Sequence, residues 1–282
     1  MLTFYEILIV SLILLYIFFC YQTRNGVETF EGQDITNPHY KDASKYDDIY
    51  DDFYGFYYDD LFYQEAYYMG ICKVLLTYVN HVYNNHLCIG IKHRGHMNEL
   101  LKKNIKTTSL SQSKAIVNLC NYQYPDNTYQ YIPEYEKNPF VFDENTFTHI
   151  SVIDNELYYI QNLPSFMYNC HKWLMMKGYL FFQCYHSKQD LKKGFLKIGE
   201  NSSLRIQTVY SHEFKEFSES SSLSLCEVIQ PPKRKKQRKN IHTLFFYQKE
   251  YIENVANEFH MEKVESIALS PYECVLVFQK VG

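Results

Sequence analysis

Apolar residues recur with two periods along this chain, and each change of period marks an element. Residues 147–153 (FTHISVI) form a short run rich in β-branched side chains, between the turn-prone DEN before it and DNE after it. That length and those flanks predict a buried strand. Over residues 163–176 the spacing becomes helical, with Phe166, Met167, Cys170, Trp173 and Leu174 on one face. Pro164 sits in the first turn, where its missing N–H costs nothing. Lys177-Gly178 is predicted to end the helix, with Gly178 as the left-handed cap. Residues 179–185 (YLFFQCY) read as a second strand, apolar on both faces. Strand, helix and strand make one right-handed βαβ unit, and both strands belong inside a parallel sheet.

The same patterning organises the rest. Between residues 40 and 68 Tyr and Phe alternate with Asp, and Tyr46, Tyr50, Phe53, Tyr57 and Leu61 recur every three or four positions. This predicts two amphipathic helices with an aromatic face against the domain and acids in water. A protein-binding surface is the competing reading, because Tyr is favoured at interfaces. Residues 66–82 predict a helix with Met69, Cys72, Val74, Leu75 and Val79 inward. Residues 105–114 (IKTTSLSQSK) predict a strand running into a helix at Ser113-Lys114. Further on, Leu204, Ile206 and Val209 suggest one strand, Leu223, Leu225 and Val228 another, and 242–246 (HTLFF) a third. Together they outline an antiparallel insertion over residues 195–247. A helix over 248–260 and strands over 264–269 and 274–279, joined at Ser270-Pro271-Tyr272, close the chain.

The residues F-T-H-I, an acid-Asn pair, Tyr158-Tyr159 and a helix ending W-L-x-x-x-G-Y-L resemble the fourth and fifth strands of class I S-adenosylmethionine-dependent methyltransferases. The style is that of the methyltransferase-like proteins of large DNA viruses. The resemblance covers about residues 45–282. It implies an α/β fold: a seven-stranded, mostly parallel Rossmann-like sheet whose last strand is antiparallel, with the antiparallel insertion added. It also implies an N-terminal helical lid of Tyr-Asp character.

The resemblance further implies where a cofactor would bind, and this chain departs from the pattern at each place. In the family the first strand leads into ϕ-D-ϕ-G-x-G-x-G. Here Leu87, Ile89 and Gly90 match, Cys88 replaces the acid, and Lys92 and Arg94 stand at the second and third glycines, with Gly95 one position beyond. Long side chains there crowd a backbone that must approach its ligand closely. Ser111 stands where an acid would take both ribose hydroxyls, and one hydroxyl is no bidentate acceptor. Near the end of the third strand only Glu134 is available. Each such loss costs about 1–3 kcal/mol. Asp154, Asn155 and Glu156 sit at the carboxyl edge of the sheet, where ligands bind in open α/β sheets. The plainer expectation is a helix N-cap by Asp154 or Asn155, with Glu156 in the first turn. His81, His86, Cys88, His93 and His96 lie close in sequence, but a strand separates them and no acid completes a zinc set, so ordinary loop histidines and no metal are expected.

Residues 2–21 (LTFYEILIVSLILLYIFFCY) are apolar apart from Glu6. About 20 such residues cross a hydrocarbon core. The start carries no Lys or Arg, and the bulky end offers no cleavage site, so an uncleaved transmembrane anchor over 1–22 is expected, followed by a tether over 23–39. Arg24, the nearby cation, places the remainder on the cytoplasmic or virion-internal side. The run Lys233, Arg234, Lys235, Lys236, Gln237, Arg238, Lys239 is read as a basic hairpin loop, with nucleic acid or anionic lipid as its partner.

With 28 Lys and Arg against 32 Asp and Glu, net −4, the chain as a whole is no nucleic-acid binder. Its eight cysteines are scattered without a C-x-x-C pair, which favours a reducing compartment over a disulfide framework. The expectation is a membrane-anchored, catalytically inactive methyltransferase-fold protein without a bound cofactor. It would be a structural or interaction component, of a virion for example, with its protein partner at the Tyr/Asp segment. The alternative is an active S-adenosylmethionine-dependent methyltransferase held at a membrane.

Overall fold

The computed structural model describes residues 42–43, 45–62, 65–79, 84–90, 100, 102–103, 105–126, 128–195, 209–216, 222–230 and 238–282. These all belong to one compact unit, Pro38–Gly282. The expected anchor and tether, Lys92, Arg94, Gly95, and Lys233 to Lys236 lie outside the described residues. No helix among the described residues is long and apolar enough to cross a membrane.

The described residues start with a two-residue strand, β1 (Asp42–Ala43), then α1 (Tyr46–Ile49), α2 (Asp52–Phe62) and α3 (Glu65–Thr77). Five parallel strands follow: β2 (Asn85–Ile89), β3 (Lys106–Ser111), β4 (Thr128–Tyr131), β5 (Phe147–Val152) and β6 (Leu174–Tyr185). Helices α4 (Lys114–Gln123) and α5 (Leu163–Trp173) lie among them, and α6 (Lys188–Gly194) follows β6. Strands β7 (Val209–Glu216), β8 (Ser222–Gln230) and β9 (Arg238–Phe245) form a separate antiparallel sheet, on whose edge β1 pairs in parallel with β9. Helix α7 (Lys249–Glu258) and the hairpin β10 (Met261–Ser270) and β11 (Glu273–Lys280) end the chain.

The main sheet runs β10-β11-β6-β5-β2-β3-β4, with β11 antiparallel to both neighbours. The order reverses between β2 and β5, so the crevice outside their carboxyl ends is where such a sheet takes ligands. Both faces are covered. Alternating residues of β2 divide between two cores, Leu87 and Ile89 facing α5 and α7, and Cys88 facing α2 and α3. That two-sided burial is why the interior strands lack an apolar-polar alternation.

Three expectations need correction. The helix predicted over 163–176 stops at Trp173, because Leu174 is drawn into the ladder opposite Phe147. The next pair is His149 with Tyr179, so residues 175–178 bulge out of β6. Lys177, not Gly178, takes the left-handed conformation (φ 62°). Gly178 is needed for space, since a Cβ there would lie 2.8 Å from Leu174 Cγ and from the Met175 carbonyl. Strand β8 lies where it was expected, and its inward face is Leu223, Leu225, Glu227 and Ile229, so Glu227 is buried and Val228 is not. His86 is no loop histidine. It is buried within β2, with Nε2 2.8 Å from Ser151 Oγ.

Candidate functional site

The aromatic segment forms helices as its spacing predicts, and their core-facing residues are Tyr50, Phe53, Tyr54, Tyr58 and Leu61. Asp47 of α1 is exposed, as expected, and also contacts the domain. The Asp47 carboxylate accepts from the Lys114 backbone N–H (3.2 Å) at the N-terminus of α4, where an anion is favoured. Ser113, the N-cap of α4, accepts from Ile116 N–H and donates its hydroxyl to the Tyr50 carbonyl. Thus α1 sits directly on the β3–α4 turn.

Gly90 ends β2 with φ 92°, a conformation open to glycine. It meets the turn after β5. A Cβ on Gly90 would lie 2.7 Å from Glu156 Cγ and 2.7 Å from the Ile153 carbonyl oxygen. Asp154 and Asn155 are both left-handed (φ 54° and 63°), rare for non-glycine residues in succession. They swing the chain so that Glu156, fully buried, lies over Gly90. Tyr46 OH donates to Glu156 Oε2 (2.8 Å) and Tyr135 OH to Oε1 (2.9 Å). Burial and the adjacent Glu156 carboxylate push both phenols far above their ordinary pKa, which keeps them protonated as donors. Asn155 precedes the 3-10 turn Glu156–Tyr159 but makes no side-chain cap bond, and Asp154 accepts from Tyr68 OH (2.9 Å). Asn155 thus holds the N-cap position and Glu156 the first turn, as expected, but without a side-chain cap bond, and the two acids Asp154 and Glu156 are buried and held by tyrosines.

A buried polar chain continues from there into the small sheet. Tyr50 OH lies 3.0 Å from Tyr159 OH, which lies 2.7 Å from His242 Nδ1. His242 Nε2 is 3.3 Å from Glu227 Oε2, and Glu227 also accepts from Tyr54 OH and Asn240 Nδ2, each at 2.8 Å. Burial raises the Glu227 pKa, but its hydrogen bonds outweigh that and hold it below the ordinary glutamate value. Arg238 closes the chain. Its Nε donates to Asn240 Oδ1 (2.8 Å), and its guanidinium to Asp51 (2.7 Å) and to the Asp48 and Ile49 carbonyls at the end of α1 (3.0 and 2.8 Å). Arg238 is only 2% exposed, which removes it from the expected basic patch. A cation entering β9 at an inward position serves the interior; Lys239, beside it, is half-buried.

The remaining site residues fall as follows. Cys88 is buried in β2, and burial pushes its thiol above the usual range, so it offers no acid. The Ser111 hydroxyl is buried and accepts from Ser113 N–H (3.1 Å). Glu134 is exposed and paired with Lys137 (2.5 Å). Gly90 and the turn at Asp154 are brought together. Glu134 is turned to solvent. No group of three metal-ligating side chains is present among the described residues. None of the seven described cysteines is in a disulfide.

Sequence reasoning missed Tyr135, Tyr159, Glu227 and His242 as members of one network. The signal available was an acid in the apolar register of β8. It also missed the tyrosine-lined cavity beside Asp154, to which Gln183 and Glu273 contribute.

No family model matches the chain, and no curated protein matches it. Solved structures do. The CcbJ methyltransferase from Streptomyces caelestis superposes with a TM-score of 0.65 at 14% identity, over 83% of this chain and 98% of that one. An S-adenosylmethionine-dependent methyltransferase from Clostridium acetobutylicum gives 0.60 at 13%, over 77% and 92%. CalS10, an amino pentose methyltransferase from Micromonospora echinaspora solved with S-adenosylmethionine bound, gives 0.57 at 9%, over 78% and 93%. At such identities the likeness is one of fold, and the fold is that of class I methyltransferases.

Three described residues stand where the resemblance places the cofactor of that fold. The ribose end has a committed serine in place of a carboxylate. The helix N-terminus beside it is occupied by Asp47. The glycine that should face the ligand is covered by Glu156.

Proposed function

We propose that this chain is a catalytically inactive member of the methyltransferase fold. It is held at a membrane by residues 1–22 and acts through contacts, as a structural or interaction component of an assembly such as a virion. The observation that carries the reading is Glu156 lying over Gly90, fixed there by Tyr46 and Tyr135. Two charge-assisted hydrogen bonds of about 1.5–3 kcal/mol each resist displacement of that side chain. A ligand entering the crevice must break them.

A working methyltransferase is the second reading, and the same residue favours it. Glu156 puts a carboxylate beside Gly90, and an acid there is able to pair with the ammonium of an adenosyl amino acid. Calorimetry on the full chain in detergent micelles separates the two. The expected result is no saturable heat with S-adenosylmethionine or S-adenosylhomocysteine. Micromolar binding of either, weakened by Glu156→Gln, establishes the second reading and overturns the first.

A further inference from the structure

A cavity of about 350 Å³ opens at the carboxyl ends of β5 and β6. Tyr67, Tyr68, Tyr185 and Tyr272 supply its aromatic wall, and Asp154 and Glu273 its acids. No Lys, Arg or His is among its described lining residues. Asp154 is 3% and Glu273 6% exposed.

The hydrogen bonds in this wall run one way. Tyr68 OH donates to Asp154 Oδ1 (2.9 Å), and Tyr67 OH donates to Glu273 Oε1. Gln183 Nε2 donates to Glu273 Oε1 (2.8 Å) and to Tyr67 OH (2.6 Å). The donors are turned toward the acids. Both bonds to Glu273 land on Oε1, and Oε2 receives none from the described residues. Two carboxylates on one cavity wall repel one another unless a cation or a proton intervenes. The tyrosine faces are negative and attract a cation at short range. The rim already does this: Lys193 Nζ lies 5.4 Å over the Tyr272 ring.

We infer that this cavity binds a small organic ammonium, its N–H groups on Glu273 Oε2 and its apolar body against the tyrosines. A bare metal ion fits poorly. The space is far larger than an ion needs, and the described residues place no third ligand with the two acids. A neutral alcohol of the same shape lacks both the charge and the surplus donors. The inference does not depend on whether an adenosyl cofactor binds, because its test contains none.

The test is ligand-observed NMR and calorimetry of the full chain in micelles with cyclohexylammonium, and with cyclohexanol as the neutral isostere. Saturable binding of the ammonium, at least tenfold tighter than the alcohol, is expected. Glu273→Gln should weaken it at least tenfold, and Asp154→Asn should also weaken it, with the near-ultraviolet dichroism of each variant kept as evidence of folding. If one variant fails to fold, the other serves. Equal binding of alcohol and ammonium, no binding of either, or unchanged affinity in a folded variant overturns the inference.

Discussion

Replacing Arg238 by Met keeps the aliphatic stem of the side chain and removes the guanidinium, which tests whether this residue belongs to a loop or to the interior. Five of its hydrogen bonds disappear together: two to Asp51, one each to the Asp48 and Ile49 carbonyls, and one to Asn240. Its packing over the Phe53 ring, 5.3 Å away, loses its charge. Breaking a buried ion pair by removing one partner costs about 3–5 kcal/mol. Asp51 is 42% exposed and regains water, so the lower end, about 3 kcal/mol, is expected. Against a total stability of about 5–15 kcal/mol that is a large loss. It should also be local. Urea unfolding gives the size, and hydrogen exchange gives the place: amides of α1 and α2 should lose protection, while those of β5, β6 and β11 keep theirs. A double-mutant cycle with Asp51→Asn should show coupling above about 1 kcal/mol. A loss under about 1 kcal/mol, or exchange that rises evenly over the fold, would refute the strut and return Arg238 to the basic loop.

Two further outcomes follow from single positions. Burial lowers the pKa of His149, whose Nε2–H donates to the Tyr78 carbonyl (2.9 Å), and burial also lowers that of His171. Below about 6.5 the unfolded chain takes up these protons first. Stability is therefore fully present above that pH and lost as pH falls toward the folded values. Melting temperature should drop from pH 7 to 5.5, and His149→Gln should flatten part of that slope; an unchanged slope would show that the ring is not buried neutral. Gly178→Ala places a Cβ against Leu174 and the Met175 carbonyl, and should destabilise by about 1–3 kcal/mol in denaturant unfolding. A neutral result there would mean that the bulge in β6 relaxes freely.

Much of the fold is legible in local pattern. The βαβ unit around Trp173, the amphipathic character of residues 46–62 and the closing hairpin follow from side-chain periods, because a helix or strand buries its apolar face whatever the distant partner. The resemblance of residues 147–180 to one family also led to the seven-stranded, mostly parallel sheet found. Local pattern failed where a neighbour intervened: Leu174 leaves its helix because Phe147 offers it a strand partner.

The site is different in kind. An aspartate at position 51, an arginine at 238 and a glutamate at 156 read locally as surface charges, since isolated ions belong in water. Only the folded chain brings Asp51 onto Arg238, Tyr46 and Tyr135 onto Glu156, and Tyr67 onto Glu273. Each of these pairs joins positions 21 to 206 residues apart. Their energies depend on burial and on distances of a few ångströms, and neither quantity exists until the separate elements pack.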